Sequence, residues 1–221
     1  MGRARVQHYV TCAWLVVCAL AAAAYAADAD PAILLKGVES RYNRAKTLKV
    51  VFHESYTASG HPRQTESGDL TLRKPGRMRW DYSTPAGKLF LSDGKDVYLY
   101  TPDAHRVERM GMKESDDMRV PLAFLLGKLD FQKEFRDFVV SPESPFWKIA
   151  AKAKNDKLPY ERIEMLVATD YSIQRLVITG QDKSVLTFKF DKEQVNPTVN
   201  DALFKFQMPP GATLVKGEAG Q

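Results

Sequence analysis

The stretch 73-RKPGRMRWDYSTPAGKLFLSDGKDVYLY-100 alternates charged side chains with large apolar ones. The alternation is strict over six residues, in the order Arg77, Met78, Arg79, Trp80, Asp81 and Tyr82. Successive side chains of a β-strand point to opposite faces of the sheet, so one face here is polar and the other apolar. Asp93-Gly94, between two such runs, is a strong hairpin signal. The stretch therefore predicts consecutive antiparallel strands that share one apolar face.

The same period of two extends to both sides of this stretch. Leu48, Val50 and Phe52, at every second position before it, share one face, and further strands are predicted over residues 146–153, 160–168, 173–179, 185–190 and 203–208. About eleven strands result. Most are joined by short turns, which leaves no room for the helical crossovers of a parallel sheet and predicts an antiparallel meander.

Helical patterns are few. Residues 31–45 have a proline in the first turn and apolar residues at helical spacing, residues 116–128 form a second helix, and residues 131–138 a possible third. We therefore predict a single mainly β domain, residues 27–221, with two or three short helices.

The first 26 residues have the three parts of a secretory signal. Arg3 and Arg5 precede an apolar run, and Ala24-Tyr25-Ala26 offers small residues where a signal peptidase cuts. We predict cleavage after Ala26. A lipid-anchored signal at Cys18 is the weaker alternative, because a valine precedes that cysteine and apolar residues follow it.

Cleavage would remove both cysteines, so disulfides, zinc–cysteine sites and cysteine nucleophiles are excluded from the predicted mature domain. The formal net charge of +5 would fall to +3 with the loss of Arg3 and Arg5. Nucleic-acid-binding domains are usually far more basic, so no nucleic-acid partner is expected.

A search for catalytic chemistry finds little. His53, His61 and His105 are scattered and lack the spacing of metal ligands, and no glycine-rich phosphate loop or serine-nucleophile signature is present. We expect no metal, no cofactor and no enzymatic activity.

Two features admit more than one interpretation. The apolar face of an eleven-stranded sheet could line a hollow or pack as a filled β-sandwich, and periodicity does not distinguish these. The basic residues Arg73, Lys74, Arg77 and Arg79 could contact an acidic partner, although a solvated outer strand face is the more usual meaning of such a charge run.

The segments 70-LTLRKPGRMRWDY-82, 89-LFLSDGKDVYLYTP-102, 119-RVPLAFLLG-127 and 200-NDALFKFQMPPGATLV-215 together resemble the LolA family. Its members are periplasmic carriers of outer-membrane lipoproteins. The resemblance runs in order from about Ile33 to Val215. It implies an incomplete, unclosed antiparallel β-barrel of about eleven strands with a helical lid.

The resemblance also implies a function. The protein would bind acylated lipoproteins released by an inner-membrane ABC-type release complex, cross the periplasm as a monomer, and deliver them to an outer-membrane acceptor lipoprotein of the LolB type. A carrier or sensor of another amphiphile, such as a glycolipid or a mislocalised lipoprotein, is the alternative. A module that binds proteins along the sheet edge is a third possibility.

On this hypothesis the acyl chains lie against one apolar face. Its predicted residues are Tyr42, Leu48, Val50, Phe52, Leu70, Leu72, Met78, Trp80, Leu89, Leu91, Val97 and Leu99. The predicted lid residues are Leu122, Phe124, Leu125 and Leu126. Family members commonly carry an arginine directly before the turn proline, where it holds the lid; here Lys74 takes that position after Arg73, so we name both as a lid latch or partner contact.

Overall fold

The computed structural model describes residues 30–112, 129–155 and 160–216. Residues from Pro31 onward belong to one compact unit. The predicted signal, residues 1–26, lies outside the described residues. So do the predicted helix 116–128 and the four predicted lid residues Leu122, Phe124, Leu125 and Leu126.

Two α-helices lie in the described part of the chain, α1 (Pro31–Arg44) and the short α2 (Phe131–Glu134). Strands of the first half are β1 (Thr47–Ala58), β2 (His61–Pro62), β3 (Glu66–Arg73), β4 (Arg77–Thr84), β5 (Leu89–Asp93), β6 (Asp96–Thr101) and β7 (Arg106–Gly111). Strands of the second half are β8 (Phe135–Glu143), β9 (Phe146–Ala153), β10 (Tyr160–Val167), β11 (Ile173–Gly180), β12 (Val185–Val195) and β13 (Thr213–Lys216). None of the described helices combines the length and apolar character that a bilayer crossing demands.

The strands form a single sheet in the order β13-β7-β6-β5-β4-β3-β1-β12-β11-β10-β9-β8, with β2 paired to β1. Every described pairing is antiparallel except that of β13 with β7. The two end strands, β13 and β8, do not pair with each other, so the sheet stays open. The predicted mainly β, unclosed antiparallel architecture is confirmed, with thirteen described strands where about eleven were expected.

One predicted element was too long and another was wrong. The possible helix over 131–138 is present but ends at Glu134, and the chain continues as β8, paired with β9. Residues 203–208 are not a strand. A 3₁₀ helix, Asp201–Phe204, begins after Asn200, whose side chain accepts a hydrogen bond from the Ala202 amide, and Phe206 then stacks on Tyr98. In each case the neighbouring surface, rather than local periodicity, decided the conformation.

The sheet curves around one apolar face. The rings of Trp80 on β4 and Phe188 on β12 lie 5.3 Å apart, although β3 and β1 separate these strands in the sheet. Adjacent strands are about 4.8 Å apart, so three spacings of a flat sheet would hold the two backbones about 14 Å apart. Side chains that meet over this span lie on the concave side of a curved sheet, which we call the inner face.

Gly68 marks a tight point of this curvature. It sits at a register shift between β3 and β4, opposite Phe52 on β1. A methyl group at this position would overlap the backbone carbonyl oxygen of Asp81 and crowd the Tyr82 Cα atom. Backbone atoms cannot move aside as a flexible side chain can, so the site requires glycine.

We expect Gly68→Ala to lower the free energy of unfolding by about 1–3 kcal/mol, because the added methyl group forces two strands apart. Urea denaturation followed by circular dichroism measures this. Ser67→Ala, one residue earlier and partly exposed, is the matched control and should change stability little. Equal stability of the Gly68→Ala variant and the wild type would show that the register shift at this position does not require glycine.

Candidate functional site

The inner face is a continuous apolar surface built by both halves of the sheet. Strand register aligns Leu70 with Val50 and with Trp80, so these side chains project from the same face. Of the predicted residues, nine are buried within one core cluster: Tyr42, Leu48, Val50, Phe52, Leu70, Leu72, Met78, Trp80 and Val97. Leu99 is partly buried and packs against this cluster.

Leu89 and Leu91 do not belong to the inner face, and their placement there was wrong. Trp80 pairs with Phe90, so Phe90 points inward and the flanking leucines point to the convex, outer face. Leu91 is nevertheless fully buried, because the outer face is covered as well: the 3₁₀ helix Asp201–Phe204 packs on β4 and β5. When both faces of a strand are covered, apolar residues occupy both faces. The sequence then lacks the polar–apolar alternation from which the inward-facing residues could be predicted.

The sequence did not lead us to predict that the second half of the sheet contributes to the inner face. Strands β9 to β12 add a comparable set of buried side chains to the same cluster: Ile149, Ile163, Met165, Leu176, Ile178, Leu186, Phe188 and Phe190. The signal was present, since Leu186, Phe188 and Phe190 alternate with polar residues. Which face of these strands meets the first half depends on the pairing of β1 with β12, across more than 120 residues of chain.

Aromatic rings dominate the centre of the inner face. The Phe52 ring meets the Trp80 ring edge-on at 4.7 Å, and the Tyr82 ring at 5.1 Å. Phe90 and Phe188 complete the surroundings of Trp80. The space around Trp80 is thus filled by side chains.

One open volume among the described residues lies beside β7. A cavity of about 830 Å³ is lined by Met110 and Met112, by the turn at Gly94 and Lys95, and by Leu214 of β13. Both methionines also pack against the core cluster, so the cavity adjoins the inner face. Its volume falls within the roughly 300–1,000 Å³ typical of small-molecule sites.

Helix α1 covers part of the inner face with Leu34, Leu35, Val38 and Tyr42, which recur at helical spacing and are all buried. Its last turn is fastened by polar contacts. The Tyr42 hydroxyl donates a 2.8 Å hydrogen bond to Glu193 and accepts one of 2.9 Å from the Ile173 amide, while Arg41 forms an ion pair with the same glutamate. Asn43 exchanges two hydrogen bonds with the backbone of Leu129.

The two predicted latch residues have different roles. The Lys74 ammonium donates a 2.7 Å hydrogen bond to the carbonyl oxygen of Tyr42, at the carboxyl end of α1, where a helix favours a positive charge. Partial burial lowers the pKa of Lys74. Arg73 faces away from α1, and contacts the Val199 carbonyl oxygen at 2.8 Å and Asp201 at 2.9 Å. Lys74 is therefore the residue that touches a covering helix.

The basic outer face is covered by the protein's own chain. Residues 199–207, which we call the crossing segment, run over β3 to β6: Asp201 lies 2.9 Å from both Arg73 and Arg77, and the Leu203 carbonyl oxygen accepts a hydrogen bond from Arg79. The sequence suggested a solvated strand face for these arginines. Instead, Asp201 of the same chain contacts Arg73 and Arg77, and Asp81 contacts Arg79.

The three histidines of the described residues lie apart from the inner face. His53 is exposed on β1, 3.5 Å from Asp191, and His61 and His105 are exposed in or beside turns. Among the described residues, no group of three or more His, Cys, Asp or Glu side chains could hold a metal ion.

The protein is thus built as one open, curved sheet whose concave face is apolar and covered. The sequence model of the family described as "Outer membrane lipoprotein carrier protein LolA" matches residues 43–207. This chain belongs to the LolA family.

Relatives are similar over nearly their whole length. An "outer-membrane lipoprotein carrier protein" of Methylobacillus flagellatus is 26% identical over 81% of this chain and 88% of its own. A protein of the same name from Pseudomonas aeruginosa is 26% identical over 91% of this chain and 97% of its own. A crystal structure of a LolA superfamily protein from Nitrosomonas europaea covers 80% of this chain and 98% of its own, at 8% identity and a TM-score of 0.45.

The Tyr42 hydroxyl gives a test of how α1 is fastened. Burial and the neighbouring Glu193 carboxylate raise the pKa of Tyr42 well above its ordinary value near 10. We expect Tyr42→Phe to lower the free energy of unfolding by about 1–3 kcal/mol, because the Ile173 amide and a Glu193 oxygen lose their partner. Tyr100→Phe, on the part-exposed outer face, is the control.

The same variant should alter the pH dependence. The folded pKa of Tyr42 is raised, so its contribution to stability is complete below the unfolded pKa of about 10 and declines as the pH rises above it. Wild-type stability should therefore fall above about pH 10, and less steeply in Tyr42→Phe. Identical slopes in urea denaturation series at pH 8 to 11 would show that the hydroxyl is not held as described.

Proposed function

We propose that this protein carries acylated lipoproteins through the periplasm, with their acyl chains against the inner face of the sheet. Membership of the LolA family supports the cargo class, because its named relatives are outer-membrane lipoprotein carriers. The observation that carries the proposal is the continuous buried apolar face that both halves of one open sheet contribute. Carriage needs binding and release but no bond chemistry, so we do not assign the protein an enzymatic activity.

Energetics favour a site of this kind. Each methylene group kept from water is worth about 0.8 kcal/mol, so one long acyl chain represents on the order of 10 kcal/mol. A carrier that retained all of this energy would not release its cargo. Here the inner side chains already pack against one another, as Trp80 does against Phe52 and Phe188. Binding would exchange these contacts for contacts with lipid, so the net gain is smaller than full transfer from water.

The cavity beside β7 is the place where we propose that an acyl chain first enters. Met110 and Met112 connect it to the core cluster, and methionine side chains adapt readily to new neighbours. Its rim carries Lys95, Asp96 and Arg109, which would remain in water while the apolar lining meets the acyl chain. An acyl chain entering there would displace flexible side chains before the aromatic centre.

Partners and location follow from the family and stay proposals. Residues 1–26 would direct export and be removed, leaving the domain 27–221 in the periplasm. The protein would act as a monomer, receive lipoproteins from an inner-membrane ABC-type release complex and deliver them to a LolB-type acceptor lipoprotein.

Charge placed in the cavity tests the site. We expect Met110→Asp to weaken binding of a fluorescent fatty-acid probe at least tenfold, because a carboxylate cannot be desolvated next to the acyl chain without a partner. Val139→Asp is the matched control: Val139 is 61% exposed on β8 at the other end of the sheet, and should leave affinity unchanged. Circular dichroism checks that both variants fold.

Failure of the wild-type protein to bind the probe would argue against lipid carriage altogether. If the wild-type protein binds the probe and Met110→Asp binds it with the same affinity, the acyl chain does not enter beside β7.

Lys74 tests the fastening of α1 during release. We expect Lys74→Leu to speed dissociation of the bound probe roughly three- to tenfold, the equivalent of one modest hydrogen bond. Lys49→Leu, at an exposed position of β1, is the control. Stopped-flow dilution measures the rates, and an unchanged rate would show that Lys74 does not restrain the helix.

The cargo itself separates the alternatives. Native mass spectrometry of protein purified from its own cells should find a bound lipoprotein. A free glycolipid or other lipid would favour the carrier or sensor of another amphiphile, and protein partners without lipid would favour a protein-binding module.

A further inference from the structure

The indole N–H group of Trp80 is a buried donor without an acceptor. Trp80 is fully buried, and its Nε1 atom has no hydrogen-bond partner among the residues that the structure describes. It is the single buried side-chain nitrogen or oxygen in the described ranges with this property. Proteins pair about nine in ten or more of such groups, so each exception calls for a physical reason.

The immediate surroundings offer no adequate acceptor. Trp80 is flanked by the rings of Phe52, Phe90 and Phe188, at 4.7, 6.5 and 5.3 Å between centroids. Aromatic faces accept hydrogen bonds only weakly. A water molecule needs two to four polar partners, and this apolar cluster supplies a single donor.

Nearby polar groups of the inner face are engaged elsewhere. The Ser92 hydroxyl donates to the Gly76 carbonyl oxygen at 3.0 Å. The Tyr82 hydroxyl lies 3.5 Å from a Glu54 carboxylate oxygen, towards the far end of β4. A ligand that occupies the inner face could supply the acceptor that the described residues do not offer to Trp80.

We propose that Trp80 Nε1–H donates a hydrogen bond to an acyl carbonyl oxygen of the cargo, an ester or amide oxygen where a fatty chain is attached. This inference rests on the proposed lipid carriage. Hydrocarbon tails contain no acceptor, so the carbonyl oxygen at the head of the chain is the strongest acceptor that an acyl chain could bring to the indole.

Such a contact fixes how far the cargo enters. Trp80 is the fourth residue of β4, about 10 Å along the strand from Arg77. The carbonyl carbon of one chain would lie at this level, with the tail extending over the remaining inner face. A site built around a donor discriminates against ligands that lack the acceptor, so the protein would prefer acyl esters to ethers of equal length.

A pair of matched lipids tests this preference. Dipalmitoylglycerol and its dihexadecyl ether differ in the two carbonyl oxygens, and their affinities are measured by displacement of the fatty-acid probe. We expect wild-type protein to bind the ester roughly tenfold more tightly, and Trp80→Phe to bind both lipids equally. Phe52→Leu, which loosens the same cluster but keeps the indole, should weaken both lipids alike and preserve the ratio.

A direct readout uses the wild-type protein alone. In ¹H–¹⁵N spectra the Trp80 indole proton should shift downfield with the ester and not with the ether, while that of the part-exposed Trp147 stays in place. This measurement remains available if Trp80→Phe does not fold.

The outcomes separate the two proposals. Equal wild-type affinity for ester and ether, or an indole signal indifferent to the ester, would overturn the role of Trp80 and leave lipid carriage intact. Binding of neither lipid would refute carriage itself, and this inference with it.

Discussion

Burial of one apolar face of a single curved sheet is the constraint on which the rest of this structure depends. β1 lies at the middle of the strand order and pairs on one side with β3 and on the other with β12. That arrangement places Val50 and Phe52 at the deepest point and lets side chains from both halves meet over them. Each large side chain removed from water contributes about 1.5–3 kcal/mol, so the inner face is the main source of stability.

The same burial sets the terms of function. A sheet filled to its edges by rigid packing would have no use for a ligand, whereas an empty one would expose a large apolar surface to water. This chain lies between those limits, with aromatic rings packed around Trp80 and an adaptable, methionine-lined cavity beside β7. Polar contacts hold the end of α1 over the apolar surface, and Leu34, Leu35 and Val38 are buried beneath it, so moving α1 would cost both hydrogen bonds and apolar burial.

Much of the fold could be predicted from the sequence, because one solvated face makes β4 alternate plainly between charged and apolar residues. Prediction failed where both faces are covered. β5 reads Leu89-Phe90-Leu91, and only its pairing with β4 decides that Phe90 points inward. Phe206 looked like part of a strand because its stacking partner, Tyr98, lies more than 100 residues away. Whether the Trp80 indole N–H group finds an acceptor likewise depends on residues far away in the sequence, so no local sequence pattern predicts it.

The crossing segment has a consequence for how the molecule behaves near charged surfaces. Arg73 and Arg77 both contact Asp201, and Arg79 contacts Asp81 on its own strand. Charges matched at hydrogen-bond distance produce a field that cancels over short range, and salt screens the remainder within about 8 Å at physiological ionic strength. Two carboxylates thus offset two of the three arginine charges, which weakens the attraction of this face for anionic head groups. We therefore expect this side of the protein to adhere less to an anionic bilayer than three unpaired arginines would.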